Sequence, residues 1–171
     1  MRIVAGKFAG RDLTSPQDGR VRPTAESVRA ALLDMVQAHL ADARVLELFA
    51  GTGAIGLEAI SRGARSADFV EFRPDSLHAL RANVAALRLR DRTRIFKRDA
   101  IPFAAALGAA SYDIAFADPP YGSRQLDLVI ESWRVTHFAR LLVVEHARTH
   151  ELPRGARSRI IEDTSITIYG E

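Results

Sequence analysis

Four consecutive residues, Asp118, Pro119, Pro120 and Tyr121, combine groups that could hold a reacting amine. They follow the apolar run 114–117, so a bare carboxylate ends a segment that reads as a buried strand. The Asp118 carboxylate and the Pro119 carbonyl are both acceptors, and proline brings no competing backbone donor. Pro120 stiffens the turn, and Tyr121 offers a flat face on which a planar ring can stack. The plainer reading is a strand that stops in a proline-stiffened turn.

A glycine-rich loop precedes this stretch in the chain. In ELFAGTGAIG, Gly51, Gly53 and Gly56 fit the G-x-G-x-x-G spacing between an apolar strand and a helix. Glycine lets the backbone turn tightly and approach a ligand closely. We therefore predict a nucleotide-type ligand over this loop, with Phe49 and Thr52 among the residues that bind it.

Acidic residues stand at four predicted strand ends, and they indicate which ligand this is. They are Glu47, Glu71, Asp99 and Asp118. In an open parallel sheet the ligand lies beyond the carboxyl ends of the strands, where the strand order reverses. Because Glu47 lies so close to the loop, it would repel the pyrophosphate of a dinucleotide. S-adenosylmethionine carries no phosphate and has an ammonium and a sulfonium, so this rim of acids favours it.

The acids at two other strand ends are then expected to bind such a cofactor. Glu71 is placed to accept hydrogen bonds from both ribose hydroxyls. Asp99 is placed to accept from the adenine amino group, with Phe72 and Ala100 as contacts for the ring. Any one of these acids could be a solvated strand end, but four on one rim make that explanation weak.

If a methyl donor is bound, Asp118 and its neighbours are placed to activate an amine that accepts the methyl group. An exocyclic amine on a nucleobase is a poor nucleophile, because its lone pair is delocalised into the ring. The Asp118 carboxylate and the Pro119 carbonyl would draw the amine hydrogens aside and orient the lone pair. Asp118 would also take the released proton, directly or through water. Alignment of nitrogen, methyl carbon and sulfur would supply the remaining catalysis, so no metal is needed.

These motifs, in this order, resemble the class I S-adenosylmethionine-dependent methyltransferases that modify exocyclic amino nitrogens. More narrowly, the chain resembles the bacterial 16S ribosomal RNA guanine-N2 methyltransferases (RsmD family). The segments that carry this closer resemblance are RIVAGKFAGRDL, RPTAESVRAALLDM, LELFAGTGAIGLEAISRGA, FADPPY and VVEH. It implies methyl transfer to a guanine N2 of the type conventionally numbered 966. Residues 136–140 depart from the family because they lack the glycine that often precedes the fifth strand.

The resemblance also implies a partner and a surface for it. The partner would be 16S rRNA, in an assembled or assembling 30S subunit, and the chain would act as a monomer without a membrane. The residues expected to contact the RNA or to shape the substrate side of the cleft are Arg2, Lys7, Arg11, Arg22, Thr24 and Arg29. For Arg29 a plain solvated arginine is the open alternative.

Composition limits the class of protein. The chain has 171 residues, 47% of them hydrophobic, which is enough for one compact domain with a core. It has no cysteine, which excludes disulfides, thiolate catalysis and cysteine-based zinc sites. Without an apolar run long enough for a signal peptide or a membrane span, we expect a soluble, cytoplasmic protein. His146 and His150 are spaced like a metal pair, but no third ligand is evident, which favours a structural role.

An alternation of apolar strands and helices must position all these residues, and it predicts a parallel sheet covered on both faces. With the resemblance, we predict an α/β Rossmann-like class I methyltransferase fold with a seven-stranded, mostly parallel sheet. The predicted strands are 45–49, 67–72, 93–97, 112–117 and 141–145, followed by an antiparallel hairpin of 159–162 and 165–169. The predicted helices are 25–40, 54–61, 74–87, 102–107 and 125–134. An N-terminal β-hairpin and RNA-contacting extension over 1–24 would precede a methyltransferase domain over 25–171, with Thr24 capping the first helix.

Three other functions remain open. A DNA adenine-N6 or cytosine-N4 amino-methyltransferase shares the DPPY motif, but 171 residues leave no room for a target-recognition domain. A non-catalytic RNA-binding assembly factor could keep the fold, although it would have no need of Asp118. A protein glutamine methyltransferase faces the same chemical problem at an amide nitrogen. The basic segment 81–98 could add a phosphate-binding surface to any of these, or be a solvated face.

Overall fold

The computed structural model describes residues 1–16, 25–155 and 157–171. The strands are β1 (Arg44–Leu48), β2 (Ser66–Glu71), β3 (Thr93–Lys97), β4 (Tyr112–Ala117), β5 (Ala139–Ala147), β6 (Arg157–Ile161) and β7 (Thr164–Gly170). The helices are α1 (Glu26–Met35), α2 (Gln37–Leu40), α3 (Ala54–Ser61), α4 (Pro74–Ala86), α5 (Ala100–Ala105) and α6 (Gln125–Thr136), with a 3-10 turn at Arg90–Arg92.

The seven strands form one sheet in the order β3-β2-β1-β4-β5-β7-β6. Strands β1 to β5 pair in parallel, and β7 is antiparallel to both β5 and β6. The chain moves outward from β1 through β2 to β3 and then returns to the other side of β1 as β4. The strand order therefore reverses between β1 and β4, which is where a ligand binds in this architecture. The predicted Rossmann-like fold with its terminal hairpin is confirmed.

Helices cover both faces of the sheet, as the continuous apolar strands predict. Successive side chains of a strand point to opposite faces, so Val45 packs with α1, α3 and α4, whereas Leu46 packs with α5 and α6. The helix predicted over 25–40 is interrupted at Val36. The strand predicted over 141–145 is longer at both ends, and the turn of the terminal hairpin lies at residues 162–163. Thr24, the predicted cap of the first helix, lies outside the described residues.

The N-terminal residues 1–14, here called the arm, lie against α3 and α4. A single antiparallel bridge between Arg2 and Asp12 stands where the sequence predicts a hairpin with two short strands. Ser61 binds the arm twice, since its hydroxyl donates to the Ala5 carbonyl at 2.6 Å and accepts from the Phe8 amide at 2.9 Å. A Cβ atom on Gly6 would lie 2.0 Å from the Ser61 carbonyl oxygen, so only glycine allows this approach. The arm is therefore packed closely against the sheet-covering helices.

Within the described part of the chain, no helix is long and apolar enough to cross a membrane.

Candidate active site

A cavity of about 410 Å³ lies at the carboxyl ends of β1, β2, β4 and β5. It occupies the position where the strand order reverses. The predicted site residues that line it are Glu47, Phe49, Gly51, Thr52, Glu71, Phe72, Ala100, Asp118, Pro119, Pro120 and Tyr121. The fold thus brings most of the predicted cofactor and catalytic residues to one space. Gly53, Gly56 and Asp99 are not among its lining residues.

Glu47 is a buried carboxyl group beneath the glycine loop. Its Oε2 accepts a hydrogen bond from the Gly56 amide at 2.7 Å. The pKa of Glu47 is raised to about 8, chiefly by burial and also by the negative charge of Asp118, while the Gly56 and Ile55 amides and the positive charge of Arg29 oppose the rise. A cation in the cavity would favour the ionised form of this group, whereas a phosphate would oppose it. The electrostatics of the loop therefore agree with the expected preference for a cationic ligand.

Two of the three loop glycines serve packing rather than the cavity. Gly53, at φ 76°, precedes α3 in a left-handed conformation, and a Cβ there would lie 2.3 Å from Cδ1 of Leu80. A Cβ on Gly56 would lie 2.6 Å from the Phe69 ring and 2.9 Å from the Glu47 carboxylate. Gly53 lets the start of α3 approach α4 closely, and Gly56 lets α3 approach the sheet. Their predicted place against the cofactor stays a prediction.

Glu71 fixes the loop to the end of β2. Its Oε2 accepts from the Gly51 amide at 2.9 Å, and its Oε1 accepts from the amides of Phe72 and Arg73, each at 2.9 Å. A carboxylate has about four acceptor positions, so three backbone donors leave capacity for a ribose hydroxyl. The side chain lines the cavity, and its predicted role on the ribose stays a prediction.

Asp99 has a structural partner of its own. Its Oδ1 accepts from the Ile101 amide at 3.0 Å, which makes Asp99 the N-cap of α5. The residue is exposed between Arg98 and Ala100, which line the cavity, and its predicted bond to adenine stays a prediction. Phe72 and Ala100, the predicted ring contacts, both line the cavity, and Phe72 leaves 54% of its surface exposed.

Residues 118–121, here called the DPPY corner, follow β4 and line the same cavity. Asp118 is half-buried and Pro119 is buried, whereas Pro120 and Tyr121 are exposed. The Tyr121 hydroxyl donates to Oε1 of Glu145 at 3.1 Å and lies 3.0 Å from the Thr164 hydroxyl. Burial raises the pKa of Tyr121, and the negative charges of Glu145 and Asp118 add to this effect. The Tyr121 ring is thus held by its hydroxyl while 42% of its surface remains exposed for stacking.

The sequence interpretation missed several residues that line the cavity. They are Met1, Ala25, Val28, Arg73, Arg98, Gln125, Glu145 and Thr164, together with neighbours of the predicted residues. Glu145 could have been found, because it is the acid of the fifth parallel strand and the rule applied to the first four strand ends extends to it. Met1 and Thr164 could not have been found from the sequence, because the arm and β7 reach the cavity only through tertiary packing.

Comparison with known proteins identifies the family of this chain. The family model described as conserved hypothetical protein 95 matches residues 1–169. The chain belongs to this family. The relatives agree with the resemblance to the RsmD family that the sequence motifs showed, and that resemblance is confirmed.

Two curated relatives and one solved structure illustrate the similarity. The rRNA methyltransferase candidate YlbH of Bacillus subtilis is 30% identical over 158 residues, covering 90% of this chain and 86% of the relative. The ribosomal RNA small subunit methyltransferase D of Escherichia coli K12 is 36% identical over 121 residues, covering 71% of this chain and 60% of the relative. The methyltransferase candidate yhhF of Escherichia coli has a solved structure with a TM-score of 0.85 at 28% identity, over 100% of this chain and 99% of that one.

For this member of the family, the predicted RNA-contacting residues divide into three groups. Arg2, Lys7 and Arg11 lie exposed on the arm, as a contact surface requires. Arg22 and Thr24 lie outside the described residues. Arg29 is the third case, and its burial rules out the direct RNA contact predicted for it.

Arg29 is fully buried, with 0% of its surface exposed, so it is neither a solvated arginine nor a direct RNA contact. Its Nε donates to Oε2 of Glu58 at 2.9 Å, and its Nη2 donates to the Arg2 carbonyl. Glu58 is buried as well and also accepts from the Val4 amide at 3.2 Å. Arg29 lies three residues before Leu32 and four before Leu33, on the same side of α1, and the arm and α3 cover that face. Arg29 therefore joins the arm to the helix behind the glycine loop.

The structure assigns packing roles to the residues that resemble metal or base contacts. The His146 ring lies 3.0 Å from the Thr167 hydroxyl, and His150 pairs with Asp127 at 3.3 Å. Trp133 donates its indole N–H to the Ala139 carbonyl at 2.8 Å. Among residues 1–16, 25–155 and 157–171, no group of three or more acidic or histidine side chains could hold a metal ion.

Proposed function

We propose that this chain transfers a methyl group from S-adenosylmethionine to the exocyclic N2 of a guanine in 16S rRNA, of the type conventionally numbered 966. The observation that carries the proposal is that Asp118, Pro119 and Tyr121 line the same cavity as Glu47 and Glu71. A donor site and an amine-binding corner thus share a single space.

Family membership supports the coarser part of this function, which is methylation of ribosomal RNA with S-adenosylmethionine. The curated relatives are named as rRNA methyltransferases, and one is named for the small ribosomal subunit. The cavity agrees with that cofactor. Buried Glu47 favours a cation, Glu71 has an acceptor position left, and Phe72 and Ala100 present apolar surface for a ring.

The chain's own residues account for the chemistry at the amine. The cofactor, when bound, supplies an electrophilic methyl group on a positively charged sulfur. The Asp118 carboxylate and the Pro119 carbonyl accept the two amine hydrogens and direct the nitrogen lone pair at that methyl carbon. As the nitrogen–carbon bond forms and the carbon–sulfur bond breaks, one amine proton passes to Asp118 or to water. The tethered ring of Tyr121 supports the base from one face.

The exposed side chains of Arg2, Lys7 and Arg11 support the RNA as substrate, since clustered cations bind phosphates by releasing counterions. We include Arg22 and Thr24 in this surface on the strength of the resemblance. Action on an assembled or assembling 30S subunit, a monomeric state and a cytoplasmic location stay predictions.

One experiment separates the proposed function from its alternatives. The protein is incubated with labelled S-adenosylmethionine and, in parallel, unmethylated 30S subunits, naked 16S rRNA, duplex DNA and a release-factor protein. We expect label in 16S rRNA, recovered after nuclease digestion as N2-methylguanosine and mapped to one guanine by mass spectrometry of RNA fragments. Label only in DNA, as N6-methyladenine or N4-methylcytosine, or only in a glutamine side chain would overturn the proposal. No label in any sample would favour the non-catalytic assembly factor.

A further inference from the structure

We infer that Glu145 is a specificity-determining residue, whose carboxylate accepts the N1–H of the target guanine beside Asp118 and so selects guanine over adenine and cytosine. This inference rests on the proposed function and deepens it, because it assigns the group that would distinguish this chain from amino-methyltransferases acting on other bases.

The sheet register places Glu145 next to the catalytic corner. Strands β4 and β5 pair in parallel with Ala117 opposite Val144, so the residues that follow these two, Asp118 and Glu145, emerge side by side. Neighbouring strands lie about 4.8 Å apart. Both carboxylates line the same cavity. A base whose amine is held at Asp118 therefore presents its next ring atom towards Glu145.

Hydrogen bonds show that the Glu145 carboxylate is held as an acceptor. Its Oε1 accepts from the Tyr121 hydroxyl at 3.1 Å, and that hydroxyl lies 3.0 Å from the Thr164 hydroxyl, which can donate to it in turn. Glu145 is only 5% exposed, so its position is fixed by the surrounding wall. A carboxylate has about four acceptor positions, so the bond from Tyr121 is compatible with a further bond from a base.

The arrangement of hydrogen-bond donors and acceptors on the bases explains why an acceptor at this position would select guanine. In guanine the N2 amine is adjacent to N1–H, which is a second donor. In adenine and cytosine the ring nitrogen adjacent to the amine is an acceptor, so a carboxylate there would face a lone pair and would disfavour binding. Enzymes that act on extruded bases read this edge through hydrogen bonds. An acceptor beside the amine-binding corner therefore fits guanine and opposes the two bases that share the DPPY chemistry.

A purely structural role for Glu145 is the competing explanation, because the same carboxylate holds the Tyr121 hydroxyl. The base 2-aminopurine separates the two explanations. It carries the same 2-amino group as guanine, but its N1 is an acceptor. The variant Glu145→Gln keeps an acceptor for the Tyr121 hydroxyl and adds an amide donor that can bind this N1.

The experiment uses 30S subunits reconstituted with ligated 16S rRNA that carries either guanine or 2-aminopurine at the nucleotide methylated by the wild-type protein. We measure kcat/KM for both substrates with the wild type, Glu145→Gln and Tyr121→Phe, and cofactor affinity by calorimetry. We expect the wild type to prefer guanine by at least about tenfold, and Glu145→Gln to reduce that preference by about tenfold or more. Tyr121→Phe removes the hydroxyl contact alone and should change both substrates equally, so that the ratio stays within about twofold of wild type.

The outcomes distinguish this inference from the proposed function. If the wild type methylates no guanine in any RNA, the proposed function fails and the inference fails with it. If the wild type methylates guanine but uses 2-aminopurine equally well, Glu145 does not recognise N1–H, whatever the results for the variants. A Glu145→Gln protein that binds cofactor and loses both activities in the same proportion would also overturn the inference. Because 2-aminopurine lacks O6 as well, support comes from the change of ratio between wild type and Glu145→Gln.

Discussion

At the residue scale, the site depends on acids whose different environments suit different tasks. Glu47 is buried among backbone donors, and burial raises its pKa to about 8. Glu71 is occupied by three backbone amides, whereas Asp118 is half-buried. In the proposed function the first two bind a cationic cofactor and the third binds the amine of the base. We therefore expect substitutions of these three carboxylates to have different consequences.

We predict that Asp118→Ala reduces methyl transfer to 16S rRNA by about 10²- to 10⁴-fold, because the amine loses both an acceptor and a proton acceptor. Cofactor affinity, measured by isothermal titration calorimetry, should stay within about threefold, since the residues proposed to bind the cofactor are unchanged. Asp118→Asn is the matched variant, because it keeps one oxygen acceptor and should retain more activity than alanine. Normal single-turnover rates in Asp118→Ala would remove the mechanism and leave the fold unaffected.

We predict that the cofactor-free protein loses stability as pH rises from 5 to 9, in part through Glu47. Its pKa rises from 4.5 to about 8 on folding, so the contribution is fully present below pH 4.5 and is lost as pH rises through 8. Urea unfolding at pH 5, 7 and 9 should show a smaller decline for Glu47→Gln than for wild type, by more than about 1.4 kcal/mol, the equivalent of one pKa unit. The glutamine side chain of this variant keeps an acceptor for the Gly56 amide.

Saturating S-adenosylmethionine supplies the control for that prediction, because a bound cation favours the ionised Glu47 and should stabilise the wild type most at high pH. Identical pH profiles for the two proteins, with and without cofactor, would show that Glu47 does not titrate in this range.

At the scale of elements, the arm and the glycine loop are joined through one side chain of α4. Asn83 is buried, accepts from the Thr14 amide at 2.7 Å, and donates to the carbonyls of Thr14 and Thr52, each at 3.0 Å. Thr52 belongs to the loop, and its hydroxyl lies 3.9 Å from the Met1 sulfur. The segment expected to contact RNA is thereby linked to the segment expected to contact the cofactor.

We predict that Asn83→Ala destabilises the protein by about 1–3 kcal/mol, because it leaves the groups that bind Asn83 without their partner. Hydrogen exchange should accelerate in residues 1–14 and in the loop together, and cofactor affinity should fall. Ser132→Ala is the matched control, since it removes one hydroxyl bond, to the Leu128 carbonyl at 2.9 Å, on an exposed position of α6. Faster exchange confined to the arm would show that the loop does not depend on Asn83.

At the scale of the whole molecule, the two rims of the sheet differ in function. The carboxyl rim carries the cavity, with the arm packed beside it through Met1. The opposite rim carries ion pairs between exposed side chains, Arg65 with Asp42 at 2.5 Å and Arg44 with Asp113 at 3.2 Å. Basic residues occur on both, so net charge alone does not identify the RNA-binding side.

We predict that Lys7→Glu/Arg11→Glu weakens binding to 30S subunits and lowers the slope of log K against log salt by about 0.7–0.9 per lost phosphate contact. The comparison is Arg44→Glu/Arg65→Glu, which makes the same change in net charge at the amino-terminal ends of β1 and β2, outside the arm, and should leave both the slope and kcat/KM near wild type. Filter binding at several salt concentrations and methylation assays measure the two effects. Equal losses in both double variants would indicate a general charge effect rather than a contact by the arm.

The amino-acid sequence by itself determined the order of strands and helices and the presence of a ligand loop. Local periodicity predicted α3, β3 and β4 at their observed bounds, because these features depend on neighbouring residues. The rim of acids was also predictable, since parallel strands must end on the same side of the sheet.

Only the tertiary structure decided which charges are buried and which residues from distant segments complete the site. Arg29 is a charged residue and is expected at the surface, yet the arm covers it and Glu58 neutralises it. Gly53 and Gly56 fit a ligand-loop pattern, yet Leu80 and Phe69 require them for packing. Glu145 joins Asp118 because β5 pairs with β4. The physical reason is that burial and pairing depend on which remote segment lies against a residue, and local spacing does not contain that information.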